Sequence, residues 1–494
     1  MLSLLRLPPS ARPALMEPLI TIVGATGTGK SKLAIDLATR FNGEIINGDA
    51  MQMYRGLPII TNQVPVEERN GIPHHLISCV GLDEEPWRVG TFRRESLRLI
   101  KEIHSRGKLP ILVGGTHYYT QAVLFNDTLV GEGTDEEDHD GDEKEQKGIP
   151  PTSELWSILD APADVMLQKL REVDPVMADR WHPNETRKIR RSLEIYLQTG
   201  RPASEIYAEQ KRQKQAVALS KNELGTVNGH NVEGPSFAAG QFRFPTILFW
   251  VHSEKEKLNS RLDARVDAMV EQGLIEEARK MWDYIQEKQA QGIAVDQTRG
   301  VWISIGFKEL EPYLAALRAG TSSEKELEAL KQSCIESVKT STRQYAVRQV
   351  RWIRNKLWNA LAEAGMTHRL YVLDSSDVND WTRSVTEPSE RVVHAFLSNE
   401  RCPDPKSLSE LARVTLSEKE QQSLSSADDI PKCITCEVCR KTMMNQKQWE
   451  IHINGHAHKR ALKAAAKRAQ CEEYLRSRNE TKNDADGSTK DEAT

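Results

Sequence analysis

Residues 24–31 of this 494-residue sequence read GATGTGKS, which fits the pattern G-x-x-x-x-G-K-[S/T]. Glycines at such positions let the backbone N–H groups of Gly24, Ala25, Thr26, Gly27, Thr28 and Gly29 approach phosphate oxygens. Lys30 neutralises those oxygens, and the Ser31 hydroxyl can ligate Mg²⁺. Shortly afterwards, NGDAMQMY (47–54) places Asp49 where a carboxylate could hold a metal or act as a general base; a solvated loop aspartate is the plainer alternative. Near the far end, Cys436-x₂-Cys439-x₁₂-His452-x₅-His458 has the spacing of a Cys₂His₂ zinc site. His456 also fits the general pattern, and Cys433 forms a competing C-x₂-C with Cys436. Zinc there is either a fold staple or part of a nucleic-acid-binding module, since a basic helix follows.

The phosphate pattern has meaning only between a strand and a helix, and both are legible. LITIVGA (19–25) is a short apolar run rich in β-branched residues, and SKLAIDLATRF (31–41) has helical spacing. GEIINGD (43–49) is a second strand, ending at Asp49. FRRESLRLIKEIHSRGK (92–108) is an amphipathic helix, LPILVGG (109–115) a third strand and TILFWVH (246–252) a fourth. Strands alternating with helices predict an α/β fold of P-loop type: a parallel sheet flanked by helices, with a helical insertion and a terminal zinc finger. The expected divisions are a leader (1–16), a catalytic core in two parts (17–125 and 246–375), and a mainly helical insertion (126–245). A polar linker region (376–430), the finger with its basic helix (431–470) and a disordered tail (471–494) follow.

The total charge of −4 hides an asymmetry. Residues 131–147 hold nine acids and two lysines, so the rest of the chain is about +3, with basic clusters at 187–191, 339–356 and 459–468. That distribution allows a polyanionic partner. No run of about 18 apolar residues exists, so no membrane span is expected. Seven cysteines, four scattered and three bunched, are not a disulfide framework and suit a reducing compartment. MLSLLRLPPSARPALM (1–16) contains two arginines, two serines and no acid, the composition of a mitochondrial presequence, with Met16 available as a second start for a cytoplasmic form. A leader without that role is the alternative.

Three further patterns carry candidate chemistry. Thr116, in ILVGGTHYY, ends the third strand on the carboxyl edge of the sheet. RLDARVDAM sets Arg261 and Arg265 on one helix face, with Asp263 and Asp267 as local partners if that face is merely solvated. HPNETRKIRR brings Arg187, Lys188, Arg190 and Arg191 to the start of a helix, where positive charge is unfavourable unless an anion binds.

GATGTGKS, INGDAMQMYRGLPIITNQ, GIPHHL, ILVGGTHYY, HPNETRKIRRSLEIYLQTG, RLDARVDAMVEQG, SIGFKEL and TRQYAVRQVRWI occur in this order. Together they resemble the tRNA dimethylallyltransferases (tRNA isopentenyltransferases) in a eukaryotic form that carries a terminal zinc finger. The resemblance spans about 19 to 375, apart from the acidic insert and 212–240. Ala50 departs from the family's usual Ser. The resemblance implies that the cradle holds the diphosphate of dimethylallyl diphosphate with Mg²⁺, and that the diphosphate leaves. The acceptor it implies is N6 of the adenine 3′ of the anticodon, which must be extruded from its loop to react. It assigns Asp49 as base, Thr116 beside the adenine, and Arg265 to the diphosphate or the adenine, with Arg261 less defined. It assigns tRNA contacts to Asp49, Ala50, Met51 and Gln52, to Arg187, Lys188, Ile189, Arg190 and Arg191, and to Ile303, Ser304, Ile305, Gly306, Phe307 and Lys308. It also implies a monomer; the leader and Met16 predict a distribution between mitochondrion and cytoplasm, with the nucleus as a further compartment. The rival readings are a P-loop kinase of a small metabolite and a non-catalytic RNA-binding zinc-finger protein; the intact Gly24, Gly29, Lys30, Ser31 and Asp49 argue against the latter.

Overall fold

The structure is a computed structural model and describes residues 17–126, 154–209, 212, 242–425, 434–439, 441–443, 446–467 and 470. The leader, the acidic segment, nearly all of 212–240, Cys433 and the tail lie outside the described residues. The chain divides into two units: residues 1–129 with 226–422, and residues 130–225 with 423–494.

In the first unit, β1 (Leu19–Gly24), β2 (Gly43–Asn47), β3 (His74–His75), β4 (Leu109–Val113), β5 (Thr246–His252) and β6 (Leu370–Asp374) form one sheet in the order β3-β2-β4-β1-β5-β6. Every neighbouring pair is parallel; Ile20 lies opposite Ile111 of β4 and Ile247 of β5. Side chains alternate between faces, so an apolar run can be buried on both sides. Leu19 and Val23 of β1 join a core with Phe92, Ile100 and Ile103 of α2 (Val89–Ser105). Ile20 and Ile22 face the other way, onto Leu33 and Leu37 of α1 (Lys30–Arg40). The strands ending at residues 24, 47, 113 and 252 therefore deliver their following loops to one carboxyl edge, where ligands bind in open α/β sheets.

α3 (His117–Leu124) follows β4 directly. After β5 the chain is helical: α8 (Lys255–Gln272), α9 (Leu274–Ala290), α10 (Phe307–Ala319) and the 29-residue α11 (Glu324–Trp352). α11 widens into a π turn over Ile353–Leu357 before α12 (Trp358–Glu363).

The structure corrects two sequence expectations. β3 and β6 extend the sheet beyond the four expected strands. The expected linker over 376–430 is largely folded: α13 (Glu387–Leu397) buries Val392, Val393 and Phe396 in the core, and α14 (Glu410–Ser425) buries Ala412 and Leu416. α14 reads as linker because its apolar residues are few and separated by long polar side chains, and α13 because its apolar run, 392–397, is short.

Of the second unit, the insertion packs α4 (Ala163–Val173), α5 (Pro175–Arg180), α6 (Thr186–Thr199) and α7 (203–209) around Leu167, Leu170, Ile189 and Leu193. Asp174 joins the turns, its carboxylate accepting from Met177 N–H (3.1 Å) and Ser204 N–H (2.8 Å). The terminal module pairs β7 (Ile434–Thr435) with β8 (Thr442–Met443), followed by α15 (Gln446–Asn454) and α16 (456–467).

Candidate active site

The cradle is built from the loop between β1 and α1. Gly27 has φ +82°, and a Cβ there would stand 2.6 Å from Leu262 of α8, so the backbone passes under that helix only as glycine. α1 carries no acid in its first turn, which leaves its N-terminal N–H groups for an external anion. Thr28 turns its buried hydroxyl inward to the Ala25 carbonyl (2.9 Å), so it offers a phosphate only its N–H. Lys30 also points inward, its Nζ donating to the Ala25 carbonyl (2.7 Å). Ser31 stands half-buried in the first turn of α1, where its hydroxyl fits a metal-ligand role.

Asp49 lies across the cleft, in the turn after β2. Asn47 shapes that turn: its side-chain oxygen accepts Asp49 N–H (3.0 Å), and its amide donates to the carbonyls of Asp49 and Leu76. The Asp49 carboxylate takes Met51 N–H (3.0 Å). Burial raises its proton affinity above that of an ordinary carboxylate, against N–H groups of Met51, Gln52 and Gly115 and the charge of Lys30. Lys30 moves the opposite way. Burial pushes it down to about 8, with Asp49 holding it up and Arg265 adding to the fall. The two half-buried groups thus influence each other's charge.

Gly114 and Gly115 bring β4 into this arrangement. A Cβ on Gly114 would lie 2.2 Å from the Gly48 carbonyl carbon, so only glycine lets the ends of β2 and β4 touch. Thr116 accepts Ala50 N–H on its hydroxyl (3.0 Å), which ties the Asp49 turn to β4. Arg265 reaches the cradle from α8, its guanidinium 3.4 Å from the Thr26 hydroxyl. Burial, then Arg261, lowers its proton affinity. Arg261 instead bonds Ser253. The acids expected as their local partners are taken by α11: Asp263 pairs with Arg343, and Asp267 with Lys339 (2.8 Å).

The residue the sequence reading missed is Gln349, buried on α11. Its Oε1 accepts Thr26 N–H from the cradle (2.8 Å), while its Nε2 donates to the Gly115 carbonyl (3.0 Å). One amide thus spans the phosphate loop and the strand end that donates to Asp49. Tyr345, one turn earlier, hydrogen-bonds Gln349; burial and then the Asp49 charge keep its phenol protonated. The only sequence signal for either residue was the block TRQYAVRQVRWI.

Other expected contacts sort differently. Ile189 is fully buried in the insertion core, so its side chain anchors α6. Around it, Lys188 pairs with Glu185, Arg191 with Glu194 (2.8 Å) and Arg190 with Asp160 (3.6 Å), all at exposed or half-exposed positions where such pairs are weak. Ser304 and Phe307 are likewise buried. Gly306 starts α10 with its N–H on Glu309 (2.9 Å), which leaves Lys308 as the exposed side chain of that segment.

In the terminal module, ligand atoms of Cys436, Cys439, His452 and His458 lie within 4.8 Å of one another. A tetrahedral zinc with bonds of about 2.0–2.3 Å needs ligand atoms about 3.3–3.8 Å apart, and the His458 Nδ1 lies 3.5 and 3.4 Å from the two sulfurs. The set fits zinc, and it takes His458 where spacing alone left His456 open.

A glycine-rich loop, a carboxylate and two half-buried cations gather on the carboxyl edge of a parallel sheet flanked by helices, the architecture of an α/β protein with a site at its strand ends. The IPP transferase family model matches residues 52–356, and the model of C2H2-type zinc fingers matches 434–458. A tRNA dimethylallyltransferase of Schizosaccharomyces pombe is 35% identical over 92% of this chain and 97% of its own length. The human tRNA dimethylallyltransferase is 33% identical over 90% and 86%. A solved structure of a eukaryotic dimethylallyltransferase acting on tRNA superimposes with a TM-score of 0.72 at 34% identity, covering 93% of this chain and 99% of that one. This chain belongs to the tRNA dimethylallyltransferase (IPP transferase) family and is a transferase.

Proposed function

We propose that this protein transfers the dimethylallyl group of dimethylallyl diphosphate to N6 of the adenine 3′-adjacent to the anticodon, releasing diphosphate. The observation that carries this is the Gln349 bridge, which ties Thr26 of the loop that carries Lys30 to Gly115 beside the Asp49 carboxylate, so that a cation for the leaving group and a base for the nucleophile share a site. The loop N–H groups, Lys30 and Arg265 hold the diphosphate and stabilise the charge that grows as the allylic C1–O bond breaks. The N6–C1 bond forms while Asp49 takes the N6 proton, and diphosphate leaves with the electron pair. Thr116 keeps the Asp49 turn in place and adjoins the adenine. Mg²⁺ on Ser31, when bound, adds further charge neutralisation to the leaving group. The exposed Arg187, Lys188, Arg190 and Lys308, with half-buried Arg191, serve anticodon stem-loop phosphates. Zinc holds the finger together, and the protein divides between mitochondrion and cytoplasm. The test is incubation with dimethylallyl diphosphate labelled in the allyl group, total tRNA and, separately, γ-labelled ATP. Allyl label in tRNA supports the reading. Phosphate transfer from ATP without allyl transfer refutes it.

A further inference from the structure

The phosphate loop is held from outside by contacts described above: Leu262 of α8 closes over Gly27, and Gln349 of α11 accepts Thr26 N–H. A further contact comes from the chain just past β6. A Cβ on Gly29 would stand 2.5 Å and 2.6 Å from Cη2 and Cζ3 of Trp381, the far edge of its six-membered ring. Gly29 is the N-cap of α1, at φ +92°, and immediately precedes Lys30. The indole therefore bears on the backbone at the point where the loop turns into the helix.

The opposite edge of the ring is fixed as well. Its Nε1–H donates to Oδ2 of Asp36 on α1 (3.1 Å), and the Thr386 hydroxyl donates to the same oxygen (3.3 Å). The Lys32 ammonium lies 4.8 Å from the ring centroid, within reach of a cation–π contact. Trp381 is only 6% exposed, and Val385, Val392 and Val393 root its segment in the core it shares with Leu33 and Leu37 of α1.

A buried indole N–H needs an acceptor wherever it lies. Here the acceptor belongs to the same helix whose N-cap the ring touches, so both ends of one rigid side chain meet α1, at Gly29 and Asp36. The ring thus braces the first two turns of that helix. The anion site is made of N–H groups of the first turn and of the loop before it. Such donors stabilise developing charge only if they are held in place beforehand, and a misplacement of about 1 Å can cost about 10²-fold.

We propose that Trp381, anchored by Asp36, is a positioning residue for the phosphate loop: it fixes the backbone at Gly29 and Lys30 so that the loop is preformed for a diphosphate, acting through Gly29 and not by touching the anion. That the anion is dimethylallyl diphosphate rests on the function proposed above; the brace itself does not.

The test uses full-length Trp381→Phe, Asp36→Ala and Asp36→Asn proteins. Phenylalanine keeps a ring in the core but is shorter and has no N–H. Asp36→Ala leaves the indole and removes its anchor, whereas Asp36→Asn keeps an accepting oxygen. Inorganic diphosphate is titrated calorimetrically, amide hydrogen exchange is followed over residues 24–32, and allyl transfer is measured with dimethylallyl diphosphate and tRNA varied in turn. Trp381→Phe should weaken diphosphate binding by about 10–10²-fold, raise KM for dimethylallyl diphosphate with KM for tRNA unchanged, and speed exchange in the loop. Asp36→Ala should move all three the same way, by up to about tenfold, and decides the matter if Trp381→Phe does not fold. Asp36→Asn should restore wild-type values. A lowered melting temperature with diphosphate affinity, KM and loop exchange all at wild-type values would reduce Trp381 to core packing and overturn the proposal. Wild-type protein that transfers no allyl group, while the variants still loosen the loop and lose diphosphate, supports the brace and refutes the tRNA reading alone.

Discussion

Replacing Asp49 by Asn keeps the side-chain shape and removes the charge, and the structure says how much should follow. General-base catalysis contributes about 10²–10⁴-fold, or about 2.7–5.5 kcal/mol of barrier at about 1.36 kcal/mol per tenfold. A smaller local cost adds to this. The carboxylate receives N–H groups from Met51, Gln52 and Gly115, whereas an amide keeps one accepting oxygen. At least one donor is then left facing NH₂, at about 1–3 kcal/mol, and the 47–52 turn should loosen. Lys30 responds too. Asp49 is what holds its proton affinity up against burial, so the variant's lysine should lose its proton below the wild-type value of about 8, and diphosphate binding should weaken at lower pH than in wild type. The assay is single-turnover allyl transfer at saturating tRNA from pH 5 to 9 across a Mg²⁺ series. Wild type should lose activity at acid pH as Asp49, raised by burial, takes up its proton; the variant should be slow throughout and lack that limb. tRNA affinity should change little, because exposed cations elsewhere supply it. A variant within tenfold of wild type, an unchanged acid limb, or full rescue by Mg²⁺ would each remove Asp49 from the role of base.

Gln349→Glu tests the bridge between cradle and strand. A carboxylate accepts Thr26 N–H but can donate to the Gly115 carbonyl only when protonated, so turnover should be partly retained at low pH and decline as pH rises, opposite to the wild-type acid limb; a flat pH response would reduce Gln349 to packing. Lys30→Ala should raise KM for dimethylallyl diphosphate and slow transfer without creating any need for ATP, and ATP turnover coupled to modification would contradict the leaving-group assignment. Ending the chain after Ser425 should weaken tRNA binding yet keep transfer, whereas ending it after Glu400 should also lower Tm by several degrees, because α14 leaves the core; a folded 1–425 protein with no transfer would show that the finger takes part in the chemistry. One zinc per chain should be found by metal analysis and lost in His458→Ala but kept in His456→Ala; the reverse result would reassign the fourth ligand.

The cradle was legible in the sequence because its parts are contiguous: glycines, lysine and serine work within eight residues, and the strand before and helix after carry their own periodicity. Asp49 was legible because it follows a strand that ends on the same edge. Gln349 was not, since its partner Thr26 is 323 residues away and an amide on a helix looks like any solvated polar residue. Arg261 and Arg265 show the same limit. Their spacing was clear, but whether Asp263 and Asp267 neutralise them depends on Arg343 and Lys339 of another helix. β6 was hidden by brevity: LYVLD is five residues, too short for periodicity to separate strand from helix. The segments expected to contact RNA illustrate the converse, with buried Ile189, Ser304 and Phe307 carried along by neighbours that are exposed.

The strand order has a consequence for synthesis. β1 leaves the ribosome first, but its neighbour β5 begins 222 residues later, at Thr246. At about 5–20 residues per second, one edge of the central strand waits roughly 10–45 seconds without its partner. The cradle waits longer still, since Trp381 is what packs against Gly29, where a Cβ would stand 2.5 Å from its ring. During that interval the nascent chain exposes one edge of LITIVG unpaired, the kind of template on which other chains pair. Chaperones that shield such edges should therefore engage this protein while it is still being translated and release it only after the sequence past Trp381 has emerged.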